Sequence, residues 1–224
     1  MIMSILDICP THQQPRCSYM QHSEFQVQGV PDDQVWQLFN VSNYEYYRRK
    51  VEDLQKGVCP FCAIDPTVNT VLFENQCWRV WMNKVAPRSG QDYQFIIPSN
   101  RHFETLRDMT ELESIDLLKA IKWIDCTFDI RGGVYVIRSG DPALNAKSVP
   151  HLHVNYQVPN GTDRVEVTIA KSREDMEKKL LVVRIFEKMR QSGLSDVQDQ
   201  FARLTADEQA LVAGKLAPQV TTKG

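Results

Sequence analysis

The sequence predicts an α+β domain: an antiparallel sheet carrying one packed helix, with helical extensions at both ends. Three observations predict it. Short runs rich in β-branched and aromatic residues, bounded by turn residues, fill the middle of the chain. One capped segment with helical spacing, residues 110–128, interrupts them. Charged or polar segments with helical spacing flank the middle, dividing the 224 residues into 1–56, 57–170 and 171–224.

Residues 1–30 are polar and irregular. From Pro31 the spacing of Val35, Leu38, Phe39, Tyr46, Tyr47, Val51 and Leu54 predicts one helix over 31–56, ended by Gly57. Thr70-Val-Leu-Phe, a turn at Glu74-Asn-Gln and Cys77-Trp-Arg-Val-Trp-Met predict a hairpin, and Gln94-Phe-Ile-Ile-Pro98 a short strand closed by proline. Thr110-Glu-Leu-Glu113 is a capping-box signature, and Leu112, Ile115, Leu118, Ile121, Ile124 and Phe128 follow at helical spacing. After Gly132-Gly133 come a strand, Val134-Tyr-Val-Ile137, a polar loop to Lys147, and a strand His151-Leu-His-Val-Asn-Tyr156. Val165-Glu-Val-Thr-Ile169 alternates as a strand does, with Asn160-Gly161 as a turn signal before it. A charged helix is expected over 172–191 and another after Thr205.

Composition narrows the function classes. Apolar residues at 42% and charged residues at 24% match a globular chain and exclude wholesale disorder. With 26 basic and 28 acidic residues, a net charge of −2 gives no global electrostatic case for nucleic acid. No apolar run approaches the roughly 18 residues of a membrane helix. Met1-Ile-Met-Ser-Ile-Leu-Asp has no basic n-region and reads as no secretory signal, so the expectation is a cytoplasmic protein. Its six cysteines are then expected free or metal-bound.

Two of the five histidines, His151 and His153, alternate in one predicted strand with Asn155. Alternation puts these three groups on one face, neighbours roughly 6–7 Å apart, with Leu152, Val154 and Tyr156 on the other. A polar face turned to water is the plain alternative. Cys59-Pro-Phe-Cys62 is a C-x-x-C pair whose turn can offer two thiolates to one zinc ion. Its rivals are a redox pair and two unrelated buried cysteines, although no βαβ pattern surrounds it. His102 and His151 are available to complete a Cys₂His₂ set.

The ordered set of C-x-x-C, Asn83-Lys84 after a strand, Ile96-Ile-Pro98 followed by His102, the helix opening Met109-Thr-Glu-Leu-Glu, and Ser148-Val-Pro-His-Leu-His-Val-Asn resembles the histidine-triad (HIT) superfamily. The resemblance covers about residues 59–159 and implies a HIT-like sheet and a nucleotide substrate. It implies His153 as the nucleophile that attacks an α-phosphorus, forming a covalent nucleotidyl-imidazole. Cys59, Cys62, His102 and His151 match the ligands of one structural zinc. Ser148 matches a serine that binds phosphate oxygens, and Asn83 the residue that grips ribose. Such domains commonly pair as homodimers.

The chain departs from the pattern at named positions. Asn155 replaces the third histidine, where uridylyltransferases and some dinucleoside polyphosphate phosphorylases carry glutamine. An amide can donate to a phosphate oxygen but cannot protonate a leaving group as an imidazolium does. The phosphate loop has no glycine after Gly140; Ala146 stands at a usual glycine position, with Asn145 and Lys147 as candidate phosphate contacts. The expectation is therefore a HIT-type nucleotide hydrolase or nucleotidyltransferase. A non-catalytic nucleotide-binding protein on the same fold is the alternative, and a nucleic-acid end-processing enzyme, which lacks its basic face here, ranks last.

Cys9, His12, Cys17 and His22 have knuckle-like spacing and form a second candidate zinc set. Cys77 and Cys126 are expected buried and inert, and Trp78, Trp81 and Tyr93 to be core or rim aromatics.

Overall fold

The computed structural model describes residues 25–83, 89–171, 173–191 and 209. Cys9, His12, Cys17 and His22 lie outside these, as does the helix expected after Thr205 apart from Gln209. Among the described residues five strands form one antiparallel sheet in the order β1-β2-β3-β5-β4. They are β1 (Val71–Glu74), β2 (Arg79–Met82), β3 (Gln91–Pro98), β4 (Val134–Ile137) and β5 (His153–Pro159). The α+β class and the antiparallel sheet with one packed helix are as the sequence predicts.

That helix, α2 (Glu111–Thr127), begins at the expected capping box: Thr110 accepts from Glu113 N, and Glu113 accepts from Thr110 N at 2.7 Å. The buried face keeps only the second half of the predicted stripe, Ile121, Ile124 and Phe128. Leu117, Ala120 and Ile124 join Trp78, Val80, Phe95, Ile97, Val154 and Tyr156 in the core, while Leu112, Ile115 and Leu118 stay 44%, 46% and 67% exposed. Glu113 and Asp116 take the buried positions because Arg101 and Lys119 pair with them. Gly133 allows a close crossing, since a Cβ there would lie 2.1 Å from the Tyr156 ring.

The helix expected over 31–56 is two elements. A 3-10 helix (Asp32–Asn40) is followed by α1 (Tyr44–Gln55). Asn43 separates them: its backbone is extended and its side chain accepts from Tyr46 N at 2.8 Å, starting a new helix. Gly57 closes α1 as expected, at φ +65°. The charged C-terminal segment forms α4 (Arg173–Gln191). It packs Val182, Val183, Ile185, Phe186 and Met189 against the 3-10 helix and α1, building an apolar cluster separate from that under the sheet.

Three expectations are corrected. Residues 165–169 form no strand: Val165 and Val167 are half-buried, but the segment has no ladder partner among the described residues, and Thr168 O accepts from Arg138 Nη2 at 2.8 Å. Alternation reports which side leans on the protein, not whether a sheet edge is available. The polar loop before the motif contains one helical turn, α3 (Pro142–Asn145). Cys126 is exposed rather than buried, on the outer side of α2, whereas Cys77 is buried as expected. No helix among the described residues is long and apolar enough to cross a membrane.

Candidate functional site

β5 delivers the motif. It lies between β3 and β4, with His153 opposite Pro98 and Asn155 opposite both Ile96 and Val136. Leu152, Val154 and Tyr156 point into the core with α2, so His153 and Asn155 belong to the other face. That face is not a solvated one at its upper end, for His153 is buried and Phe61 covers it, ring centroids 4.8 Å apart. His151 precedes the strand, in a bend where Leu152 N bonds Phe103 O at 2.6 Å and Ser99 N bonds Leu152 O at 3.2 Å. It is fully buried, and Phe61 packs edge-on against it as well.

Each histidine has its tautomer set by a carbonyl. A carbonyl oxygen only accepts, so the ring nitrogen facing it carries the proton. His153 Nδ1 lies 2.8 Å from His151 O, which leaves Nε2 with the free lone pair. His151 Nε2 lies 2.8 Å from Ser99 O, which leaves Nδ1 free. Burial pushes both imidazoles down to about 4, so both are neutral at physiological pH.

The free Nδ1 of His151 faces the two cysteines, 3.4 Å from Cys59 Sγ and 3.5 Å from Cys62 Sγ. His102 Nδ1 lies 3.3 Å from Cys62 Sγ. The turn that sets the pair is local: Cys62 N and Ala63 N both bond Cys59 O, at 3.1 and 3.0 Å. All four donor atoms lie within 4.8 Å of one another. Tetrahedral zinc with ordinary Zn–S and Zn–N bonds spaces sulfur and nitrogen by about 3.6 Å, so this donor set fits such an ion. The redox reading of the pair fits less well, because burial and the neighbouring Cys59 push the Cys62 thiol up to about 11.

The approach to the motif holds the remaining candidates. Ser148 is half-buried, and its Oγ lies 2.8 Å from the Tyr46 hydroxyl. Asn145 donates to Ser139 O at 2.8 Å and accepts from Lys147 N at 3.2 Å, so its amide shapes its own loop. Lys147 is buried with its ammonium on Glu104, 3.3 Å from the carboxylate and 3.4 Å from the carbonyl. Ala146 between them has φ +54°, the left-handed region where glycine is at ease. Asn83 directly follows β2, its amide 3.1 Å from Gln94 Oε1. Asn155 makes no hydrogen bond with its side chain among the described residues.

Sheet order, the single helix across one face, the motif entering β5 and the gathered donors form one arrangement. This is an α+β fold that carries the motif's histidines beside the Cys59–Cys62 turn. Solved structures of histidine triad family proteins align with the chain at low identity. A zinc-bound histidine triad family protein from Mycobacterium smegmatis is 16% identical over 61% of this chain and 97% of its own, with TM-score 0.39. A HIT family hydrolase from Legionella pneumophila Philadelphia 1 is 20% identical over 48% and 96%, with TM-score 0.36. Plasmodium falciparum diadenosine triphosphate hydrolase is 17% identical over 59% and 82%, with TM-score 0.33. No protein-family model and no curated protein sequence matches the chain.

Sequence reasoning missed three contributors to this site. Ser99 fixes His151, Phe61 covers both imidazoles, and Tyr46 reaches Ser148. Only Phe61 had a local signal, its place between the two cysteines.

Proposed function

We propose that this chain is a HIT-type nucleotide hydrolase or nucleotidyltransferase acting at an α-phosphate, with His153 as nucleophile. The observation that carries the reading is the His153 Nδ1 contact with His151 O, which leaves a neutral Nε2 lone pair as the attacking atom. In the first step Nε2 forms a bond to the α-phosphorus as the bond to the leaving group breaks. In the second, an oxygen of water, phosphate or a sugar phosphate bonds to phosphorus as the P–Nε2 bond breaks, so Nε2 recovers its lone pair; with water, the proton passes to solvent. Ser148 and Asn155 would donate to phosphoryl oxygens, and fixed donors of this kind supply most of the acceleration. Asn83 would hold ribose, and Asn145 and Lys147 would shape the phosphate loop. Because Asn155 cannot deliver a proton, substrates whose leaving group departs as an anion suit the site best.

Cys59, Cys62, His102 and His151 would hold one zinc ion. With four protein ligands it has no open position, and its chemistry is structural: it ties the 59–62 turn to the loops that carry His102 and His151. The same reading keeps residues 57–170 as the nucleotide-binding unit, with 1–56 and 171–224 as extensions, in a cytoplasmic homodimer.

The test is single-turnover reaction of the zinc-loaded protein with diadenosine polyphosphates and adenosine 5′-phosphoramidate, followed by acid-free mass spectrometry. An adenylyl adduct on His153, lost in His153→Ala, is the expected result. Nucleotide binding with neither adduct nor product would leave a non-catalytic binder, the reading that Asn155 favours.

A further inference from the structure

The phosphate loop of the proposed site is not supported by residues 57–170 alone. Tyr46, on α1, places its hydroxyl 2.8 Å from Ser148 Oγ across 102 residues of chain. Neither hydroxyl has another hydrogen bond among the described residues. Just before α1, Asn40 Nδ2 donates to Lys147 O at 2.8 Å, and Lys171 donates to Phe39 O at 3.0 Å and to Asn40 Oδ1. The helix bearing Tyr46 is itself held. Tyr47 donates to Glu187 at 2.7 Å, and the rings of Tyr44 and Tyr47 each lie 5.7 Å from that of Phe186 on α4.

We infer that Tyr46 is a positioning residue for Ser148, contributed to the phosphate site by the N-terminal extension. The inference rests on the reading of Ser148 as a phosphate ligand. A serine hydroxyl is a rotor with one proton and two lone pairs. The phenol is the more acidic of the two hydroxyls, and burial raises its pKa further, so it stays protonated and donates. Ser148 then accepts on one lone pair, and its own proton is turned away from the phenol toward its open side. A phosphoryl oxygen there meets a donor already aimed, which is the preorganisation that charge stabilisation requires. Without the phenol proton the rotor is free, and its orientation must be fixed at each turnover.

The test uses the full chain with Tyr46→Phe, Ser148→Ala and the double variant. Phenylalanine keeps the ring and removes only the hydroxyl. With diadenosine tetraphosphate, whose leaving nucleotide departs as an anion, Tyr46→Phe is expected to lower kcat about tenfold with KM within about twofold and the melting temperature unchanged. The double variant is expected to match Ser148→Ala alone, because the phenol acts only through the serine. Wild-type kcat in Tyr46→Phe, or losses that multiply in the double variant, would overturn the inference and leave the function reading intact. A wild-type protein that binds AMP by calorimetry without turnover would sink the enzyme reading alone. The same three variants would then be read on AMP affinity, again with the double expected to match Ser148→Ala. A wild-type protein that neither binds AMP nor forms an adduct would overturn both.

Discussion

Arg101 lays its guanidinium along the carboxylate of Glu113, with Nε 2.9 Å from Oε1 and Nη2 3.0 Å from Oε2. The pair fastens the residue before His102 to the first turn of α2, where Oε2 also accepts from Thr110 N and Thr110 Oγ1. A planar fork on a carboxylate is the strongest form of such a contact.

The Arg101 guanidinium, helped by Thr110, holds Glu113 down to about 2. An unfolded glutamate ionises at about 4.3. The folded value is depressed, so the contribution is complete above about pH 4.3 and is lost as pH falls from there through about 2. Glu113→Gln is expected to cost about 1–3 kcal/mol at pH 7, the gap from wild type closing toward pH 2. Urea midpoints across that pH range check it; a gap that stays constant would mean the carboxylate charge is not what matters.

Metal removal has a structural signature. Elemental analysis is expected to find one zinc per chain in the wild type, and less in Cys59→Ser or His102→Ala. Because the four donors come from three separated segments, chelation is expected to lower the melting temperature by about 10 °C or more. Activity assays are not needed to read this outcome.

Ala146 is left-handed in the loop before Ser148. That conformation costs a residue with a Cβ about 1–2 kcal/mol, part of which glycine returns through its looser unfolded chain. Ala146→Gly is therefore expected to stabilise by about 0.5–1 kcal/mol, read as a higher denaturation midpoint. A lower midpoint would show that the methyl group packs usefully.

Gly133 predicts the opposite. A methyl group there overlaps the ring of Tyr156, which stacks on Tyr135 at 4.1 Å and donates to Asp125 at 2.5 Å. With the ring locked by both contacts, Gly133→Ala is expected to cost at least about 2 kcal/mol in chemical denaturation.

How much the sequence reveals depends on how far each cause lies along the chain. The capping box of Thr110 and Glu113 and the stop at Gly57 were legible because their partners are within a few residues. The donor set of Cys59, Cys62, His102 and His151 spans three segments; the C-x-x-C pair and the available histidines suggested it, and the ordered resemblance, which carries long-range information that spacing lacks, matched it to one site. Where the cause is tertiary and unshared with that pattern, reading failed. The side of α2 that is buried is chosen by the sheet it lies on, so Leu112, Ile115 and Leu118 look like a core stripe and are not. One local cause was also missed: Asn43 splits the first predicted helix because its cap on Tyr46 N outcompetes an otherwise continuous apolar pattern. Tyr46 and Ser148 carry no mark of each other, being 102 residues apart.

The shared apolar cluster of α1 and α4 imposes an order on synthesis. On the ribosome, Tyr44, Tyr47, Val51 and Leu54 emerge more than 100 residues before Val183, Ile185 and Phe186, their eventual neighbours. The nascent chain must therefore carry α1 packed only on the 3-10 helix, with the side that meets α4 bare, while the whole sheet is made. Ser148 is translated before α4 exists to brace that helix, so the serine's final setting waits for α4. Truncation after residue 171 should thus injure both ends of the protein at once, leaving a soluble-looking sheet with a sticky leader.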